Sequence, residues 1–360
     1  VKRIASFLFT LALTALVLLA CSGDFESYGK VTGVRILAAR ADKPYAKPGD
    51  TVNLELLAFD GRAEKKEPMV VAWIPFLCTN PLQDAYYACF IPQVPDGGVP
   101  EGGFPALGAD AGADGGGAPP AGQLGQFISQ LRPGQDLTPF LPKGTKYSVR
   151  LPENIIDTHT PVAGRPEKYG LGIVFNVACA GRIRYVAFDP SKGIQQVPIE
   201  CVDADGVPVS ADNFVLGFTR IYAYQDETNQ NPTVDKITFD GKELATSQVI
   251  QVDRCTTQRR SECPKIKVGV NVPDSSWELN PGDNDENGNT FREQIWASYF
   301  TTLGDFASDA RLLFDNRQGR VSESEIEFQA PFEAGSGRIW IVVRDNRGGT
   351  VWSELPIVVK

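Results

Sequence analysis

Apolar and polar residues alternate along much of this chain, and no long stretch carries the spacing of an amphipathic helix. Between positions 51 and 59, Val52, Leu54 and Leu56 alternate with Asn53 and Glu55; between 265 and 272, Ile266, Val268, Val270 and Val272 fall on one side. A period of two sends neighbouring side chains to opposite faces of an extended strand. Strands with one apolar face bury it by stacking sheet on sheet. The expected fold is therefore all-β, as two tandem β-sandwiches. A hydrophobic content of 42% over 360 residues supplies cores of that size and excludes a disordered chain.

In the first half, strands are expected at 31–38, 51–59 and 69–78, the last around Trp73. Residues 171–179 and 183–188 read as a hairpin about Ala180-Gly181. Residues 92–125 are dominated by Gly, Pro, Ala and Asp, with almost nothing to bury, and read as the heart of a flexible insertion spanning about 92–145. The polar, turn-forming run Asn229-Gln230-Asn231-Pro232 marks a linker at 226–232. Strands then follow at 236–239, 249–252, 265–272, 294–302, 325–329, 339–343 and 351–359, about the number a sandwich needs. The divisions are a first domain at 31–225 and a second at 233–360. A faint repeat aligns 181–189 with 337–345; an alternative register aligns 171–179 with 339–343.

Six of the seven cysteines, Cys78, Cys89, Cys179, Cys201, Cys255 and Cys263, lie in these two regions. Their grouping favours local bridges, Cys78–Cys89, Cys179–Cys201 and Cys255–Cys263, with Cys78–Cys179 between neighbouring core strands as the rival. Zinc is disfavoured, because no Cys-x-x-Cys occurs and His159 is the only histidine.

The seventh cysteine has a different setting. Lys2 and Arg3 precede an apolar run from position 4 to position 20, a positive start followed by a hydrophobic stretch, as in a signal peptide. The run ends in Leu18-Leu19-Ala20-Cys21, which resembles the lipobox of bacterial lipoproteins. That resemblance implies a signal peptide at 1–20 and a tether at 21–30. It also implies diacylglyceryl and acyl chains such as palmitate on Cys21, and, with no Asp after Cys21, an address at the outer membrane. More than one acyl chain makes attachment effectively stable. The net charge of −9 opposes nucleic acid binding and keeps the body off anionic headgroups.

The closing stretch 339–359, with its turn Asp345-Asn346-Arg347-Gly348-Gly349, resembles the final hairpin of PKD and bacterial immunoglobulin-like domains. Val34-Arg35-Ile36-Leu37-Ala38 followed by Lys47-Pro48-Gly49-Asp50-Thr51-Val52 is similar to the opening of such domains in surface lipoproteins. The PKD signature Trp-Asp-Phe-Gly-Asp-Gly is absent; Trp296-Ala297-Ser298-Tyr299-Phe300 stands near its place. The resemblance implies immunoglobulin-like sandwiches and brings no catalytic residues with it.

No Gly-x-Ser-x-Gly elbow, Walker loop or His-Glu-x-x-His occurs, and His159, in a polar stretch ahead of Pro161, reads as a solvated loop residue. Asp283, Asp285 and Asn287 ahead of Gly288 have the alternating oxygens of the first half of a calcium loop, but the twelfth position carries Gln294 where a bidentate Glu is needed, with Glu293 one place early, and the favoured reading of this acidic stretch is an ordinary hairpin turn. These three are the metal candidates, and any calcium is expected to be structural, with no cofactor required. Tyr86, Tyr87 and Trp277 read as packing aromatics at the edge of the core. Together these readings describe a lipid-anchored, non-enzymatic cell-envelope protein that binds, adheres or spaces, with a protein or a glycan as partner. The alternative is an exported polysaccharide hydrolase using an unrecognised pair of carboxylates.

Overall fold

The computed structural model describes residues 28–90, 131–160, 162, 168–187, 197–245, 248–284 and 288–360. Among these residues the protein is all-β, with helix confined to short 3-10 turns. The first half contains β1 (Val34–Ala41), β2 (Tyr45–Ala46), β3 (Thr51–Asp60), β4 (Val70–Thr79), β5 (Lys146–Arg150), β6 (Gly170–Cys179), β7 (Arg182–Tyr185), β8 (Ile199–Val202) and β9 (Phe214–Ala223). The second contains β10 (Lys236–Phe239), β11 (Lys242–Glu243), β12 (Ile250–Val252), β13 (Lys265–Asn271), β14 (Leu279–Asn284), β15 (Thr290–Arg292), β16 (Ile295–Thr301), β17 (Asp305–Phe306) and β18 (Ala310–Asp315). It closes with β19 (Gly319–Arg320), β20 (Ile326–Gln329), β21 (Gly335–Asp345) and β22 (Thr350–Val359).

The two halves share one strand order. The first stacks β1-β3-β5 against β2-β9-β6-β4; the second stacks β10-β13-β20 against β12-β22-β21-β16, with extra strands at the edges. In each, a short strand runs parallel to the last strand, β2 beside β9 and β12 beside β22. Chain order matches throughout, so β6 and β21 are equivalent. That equivalence follows the second register of the internal repeat. The first register does not describe the fold, because it aligns residues 181–189 with β21, whereas β7 belongs to an insertion between β6 and β9.

The expected hairpin of 171–179 with 183–188 is also corrected. β6 pairs with β4 and β9, whereas β7 pairs with β8. The β7–β8 ribbon covers the outer face of β6, where Leu171, Ile173, Phe175 and Val177 form one core with Phe90, Leu137, Leu141 and Ile183. On the opposite face Val174 joins Trp73, Leu54, Leu56 and Leu151 in a second core. Burial on both faces explains why the sequence of β6 is an unbroken apolar run. Residues 131–145, counted with the insertion at the sequence level, are held in place. Gly134 and Leu137 donate backbone N–H groups to Tyr185 and Ile183, and Trp73 donates to Pro142 (2.8–2.9 Å). The rest of the insertion, 92–130, lies outside the described residues.

All three local disulfides form: Cys78–Cys89, Cys179–Cys201 and Cys255–Cys263. The second ties the end of β6 to the β7–β8 ribbon across the outer core. Replacing Cys179 and Cys201 by Ser is expected to lower stability by about 2–4 kcal/mol, read as a lower midpoint in chemical denaturation.

The two sandwiches pack face to face. Leu37 and Ala38 of β1 and Leu57 of β3 meet Phe300 of β16 and Trp340 and Val342 of β21, with Phe59 and Trp352 at the margin. β21 therefore serves two cores, Ile339, Ile341 and Val343 facing its own sandwich and Trp340 and Val342 facing the neighbour. Residues just before β1 stitch the halves further. Val31 donates to the Thr301 carbonyl (2.9 Å), and Thr301 donates to that of Gly29 (2.8 Å). Lys30 Nζ reaches Gly304 O (2.9 Å).

Candidate functional site: a buried charged junction between the domains

The turn Asp345-Asn346-Arg347-Gly348-Gly349 between β21 and β22 points at the first domain. A Cβ on Gly349 would collide with Asp345 Oδ2 and crowd Gln230 O, and Gly348 holds a φ of 103°. The two glycines thus let the turn fold back on its own aspartate. Asp345 Oδ1 accepts the N–H groups of Arg347 and Gly349, both at 2.8 Å.

This turn delivers Arg347 into the seam, where it is 5% exposed. Its Nη1 donates to Glu293 Oε1 (2.9 Å) and to Leu279 O (2.8 Å), and its Nη2 donates to Thr228 O (2.6 Å). The guanidinium lies over the ring of Tyr45 on β2, 4.7 Å from its centroid, with Nε 3.4 Å from the phenol oxygen. The linker is part of the same structure. Asn231 Nδ2 donates to Ala41 O (2.8 Å), and its Oδ1 accepts the Thr350 N–H (2.8 Å).

Two buried carboxylates lie beside Arg347, Glu293 on its guanidinium and Asp345 on its backbone N–H. Glu293, between β15 and β16, is fully buried and Asp345 is 3% exposed. Burial pushes the Glu293 carboxyl up to about 7; the charge of Asp345 adds to the rise and Arg347 opposes it. Asp345 is raised too, chiefly by burial, against the hydrogen bonds from Arg347 and Gly349. Asn229 lies beside Asp345 and also opposes the rise. Burial works against the charge of Arg347, but Tyr45 and Glu293 outweigh it.

Behind Tyr45 runs a chain of aromatic rings. Tyr45 meets Tyr224 at 4.5 Å, Tyr224 meets Tyr169 at 5.9 Å, and Tyr169 meets the His159 imidazole at 4.2 Å. Burial pushes the Tyr224 phenol far above its ordinary value, and the neighbouring Tyr45 adds to it. His159 is therefore not the solvated loop residue the sequence leads one to expect. Its Nε2 lies 2.9 Å from Asp84 Oδ1, and Tyr169 donates its hydroxyl to Asp84 Oδ2. Asn80, Gln83 and Asp84 all take positive φ angles of 48–56° within the Cys78–Cys89 loop. Asp84 offsets that strain by holding two buried partners. Asp84→Ala is expected to leave both partners unsatisfied and to lower stability by about 2–3 kcal/mol, read in thermal melts.

The other sequence candidates fall elsewhere. Cys21, Asp285 and Asn287 lie outside the described residues, and Asp283 is exposed at the end of β14. Among the described residues no cluster of three or more acidic, His or Cys side chains is arranged to hold a metal. Trp277 packs flat on Phe314 (5.6 Å) and donates Nε1 to Glu293 O (2.8 Å), and Tyr86 stacks on Phe218 (4.6 Å). These are packing roles. A cleft of about 550 Å³ brings Glu64, Glu67, Asp203 and Asp205 together. Two of those carboxylates already accept backbone N–H groups, Glu67 from Ala204 and Asp203 from Asp205 and Val207.

The junction escaped the sequence reading because its members come from β2, the linker, the β15–β16 connection and the last turn. The Asp345-x-x-Gly-Gly turn and the linker at 226–232 were visible, but legible as a turn and a linker alone. No family model and no curated protein matches the chain. Among solved structures, dimeric latent PorU from Porphyromonas gingivalis aligns over 92% of this chain and 24% of that one, at 10% identity and a TM-score of 0.20. This chain thus spans about a quarter of that chain's length.

Proposed function

We propose that this protein is a lipid-anchored, non-enzymatic module of the cell envelope, presenting two immunoglobulin-like sandwiches as one stiff body to a protein or glycan partner. The observation that carries the reading is the face-to-face seam, in which apolar packing, the stitched residues 29–31 and the buried guanidinium of Arg347 on Tyr45 and Thr228 O join the two halves. A stiff body presents a fixed surface, the property an adhesion, assembly or spacer module needs. The shared strand order, with an early short strand switching to pair beside the last strand, supports the immunoglobulin-like assignment for both halves.

The three disulfides support an oxidising compartment. Attachment through acyl chains on Cys21, and the outer membrane address, rest on the lipobox resemblance. Calcium held by Asp283, Asp285 and Asn287 would stiffen the β14–β15 hairpin. Calorimetric titration tests this: the parent releases calcium heat and Asp283→Ala does not.

Crosslinking on intact cells of the native host, with purification through a C-terminal tag, tests the anchored-module reading. Partners are expected to recur with the parent protein and to vanish with Cys21→Ala. Turnover of a polysaccharide panel, lost in Glu67→Gln or Asp203→Asn, would favour a hydrolase working in the acidic cleft instead.

A further inference from the structure

Among the described residues the three disulfides are not alike. Cys78, Cys179, Cys201, Cys255 and Cys263 are each at most 3% exposed, whereas Cys89, on the 3-10 turn Tyr86–Phe90, is partly exposed. The loop that Cys78 and Cys89 close is also the strained one. It holds three of the four described non-glycine residues at positive φ, Asn80, Gln83 and Asp84. A left-handed backbone costs free energy wherever a Cβ is present, and Gln83 is the least suited of the three to it. Such a conformation persists only while its surroundings hold it.

Two restraints hold it here, the bridge and the hydrogen bonds of the loop. Asn80 Nδ2 donates to Ile155 O (2.7 Å) and Thr158 Oγ1 (2.9 Å), and its Oδ1 accepts the Leu171 N–H (2.8 Å). Four residues on, Asp84 holds His159 Nε2 (2.9 Å) with one oxygen and the Tyr169 hydroxyl with the other. The loop is thus a clasp over residues 155–159, and the His159 side chain is kept at 5% exposure.

We propose that Cys78–Cys89 is a thiol-exchange site, opened by an exported dithiol reductant, and that opening it releases Asp84 from His159 and Tyr169.

Exposure and strain are the two properties that make a bridge labile to thiols, and this bridge combines them. The thiolate of the reductant attacks Cys89 Sγ, on the exposed side, and forms a mixed disulfide. The Cys78–Cys89 bond breaks, and Cys78 leaves with the electron pair and takes a proton. The second thiol of the reductant, deprotonated, attacks its own half of the mixed disulfide, and Cys89 leaves and is protonated in turn. The reductant ends as a disulfide, and two electrons and two protons have passed to the protein. Gln83 and Asp84 then relax to right-handed backbone, which carries Asp84 off its partners. Asn80 stays, because its N–H is also bonded to Leu171 O (2.7 Å) beside β4. The release is therefore local, uncovering His159 while the β6–β9 ladder remains paired. The envelope location proposed above enters only as the source of the reductant.

His159 is the only histidine, which makes the test specific. The purified full-length protein is treated with graded dithiothreitol, freed thiols are blocked with iodoacetamide, and the blocked positions are mapped by mass spectrometry. Diethyl pyrocarbonate, followed at the absorbance of the modified imidazole, then reads access to His159. Cys78 and Cys89 are expected to open at reductant concentrations about tenfold or more below those that open the other two bridges. Once they are blocked, His159 should react about tenfold or more faster, with amide protection unchanged in the β6–β9 ladder. Cys78→Ser combined with Cys89→Ser should give the fast reaction without reductant. Another bridge opening first or together with this one, a slow His159 after Cys78 and Cys89 are blocked, or loss of ladder protection would each overturn the proposal. The assay needs neither acyl chains nor a partner, so its failure and the failure of the intact-cell crosslinking are separate results.

Discussion

Arg347→Ala is expected to lower stability by about 3–5 kcal/mol, the usual consequence of removing one partner from a buried ion pair. The substitution leaves Glu293 and Asp345 facing each other without a cation and removes the donors to Leu279 O and Thr228 O. It also strips the cation from the ring of Tyr45. The effect should be seen as a lower denaturation midpoint, together with early exposure of the linker to protease. Adding Glu293→Gln to Arg347→Ala should recover part of the loss, because the buried carboxyl left without its donor is gone. The pair should be strongly non-additive, as expected for groups within one network. Additive effects would mean that Arg347 acts through packing alone.

Trp340→Ala should cost a similar amount, about 3–5 kcal/mol, by a different route. Trp340 has no exposed surface and packs against Phe59 at a ring separation of 4.6 Å, with its indole N–H donated to Glu354 Oε2 at 3.0 Å. Its removal opens a cavity in the apolar half of the seam without touching the ion pair. The expected outcome is separation of one unfolding transition into two, because each sandwich keeps its own core while the contact that couples them is lost. Trp340→Phe should retain most of the stability. Calorimetry distinguishes the two forms: one heat-absorption peak for the parent, two for the Ala variant.

The fold was legible to the extent that each strand buries a single face. In the second half, the segments expected at 236–239, 249–252, 265–272, 294–302, 325–329, 339–343 and 351–359 correspond to β10, β12, β13, β16, β20, β21 and β22. These are the strands shared with the first half; the pieces missed are the two-residue β11, β17 and β19 and the edge strands β14, β15 and β18, of three to six residues. In the first half β9 escaped notice because Gly217 interrupts its pattern. There a Cβ would lie 2.6 Å from Asn176 Oδ1 on the neighbouring strand, so the glycine reflects close approach between β6 and β9. The disulfides were legible from local spacing, since each bridge closes a loop of 8–22 residues.

Long-range features were not legible. The apolar runs of β6 and β21 signal burial on both faces, yet nothing local says whether the second face meets a ribbon, as for β6, or another domain, as for β21. Asn229 and Asn231 look like ordinary linker residues because polarity is what both a solvated linker and a buried hydrogen-bonding strap require. Glu293 carries no sign of its environment either. Its side-chain donor, Arg347, lies 54 positions away. His159 misled for the same reason: a polar local sequence hid a partner, Asp84, 75 positions away.

The central claim is that the two sandwiches move as one body, and an inter-label distance measurement tests it most directly. Spin labels at exposed positions in separate domains, such as Lys146 on β5 and Lys242 on β11, report their separation in the full-length protein at pH 6.5. The account predicts one narrow distance distribution in the parent and a broad one in Trp340→Ala. A broad distribution in the parent would contradict the claim and turn the stiff module into two sandwiches on a flexible string.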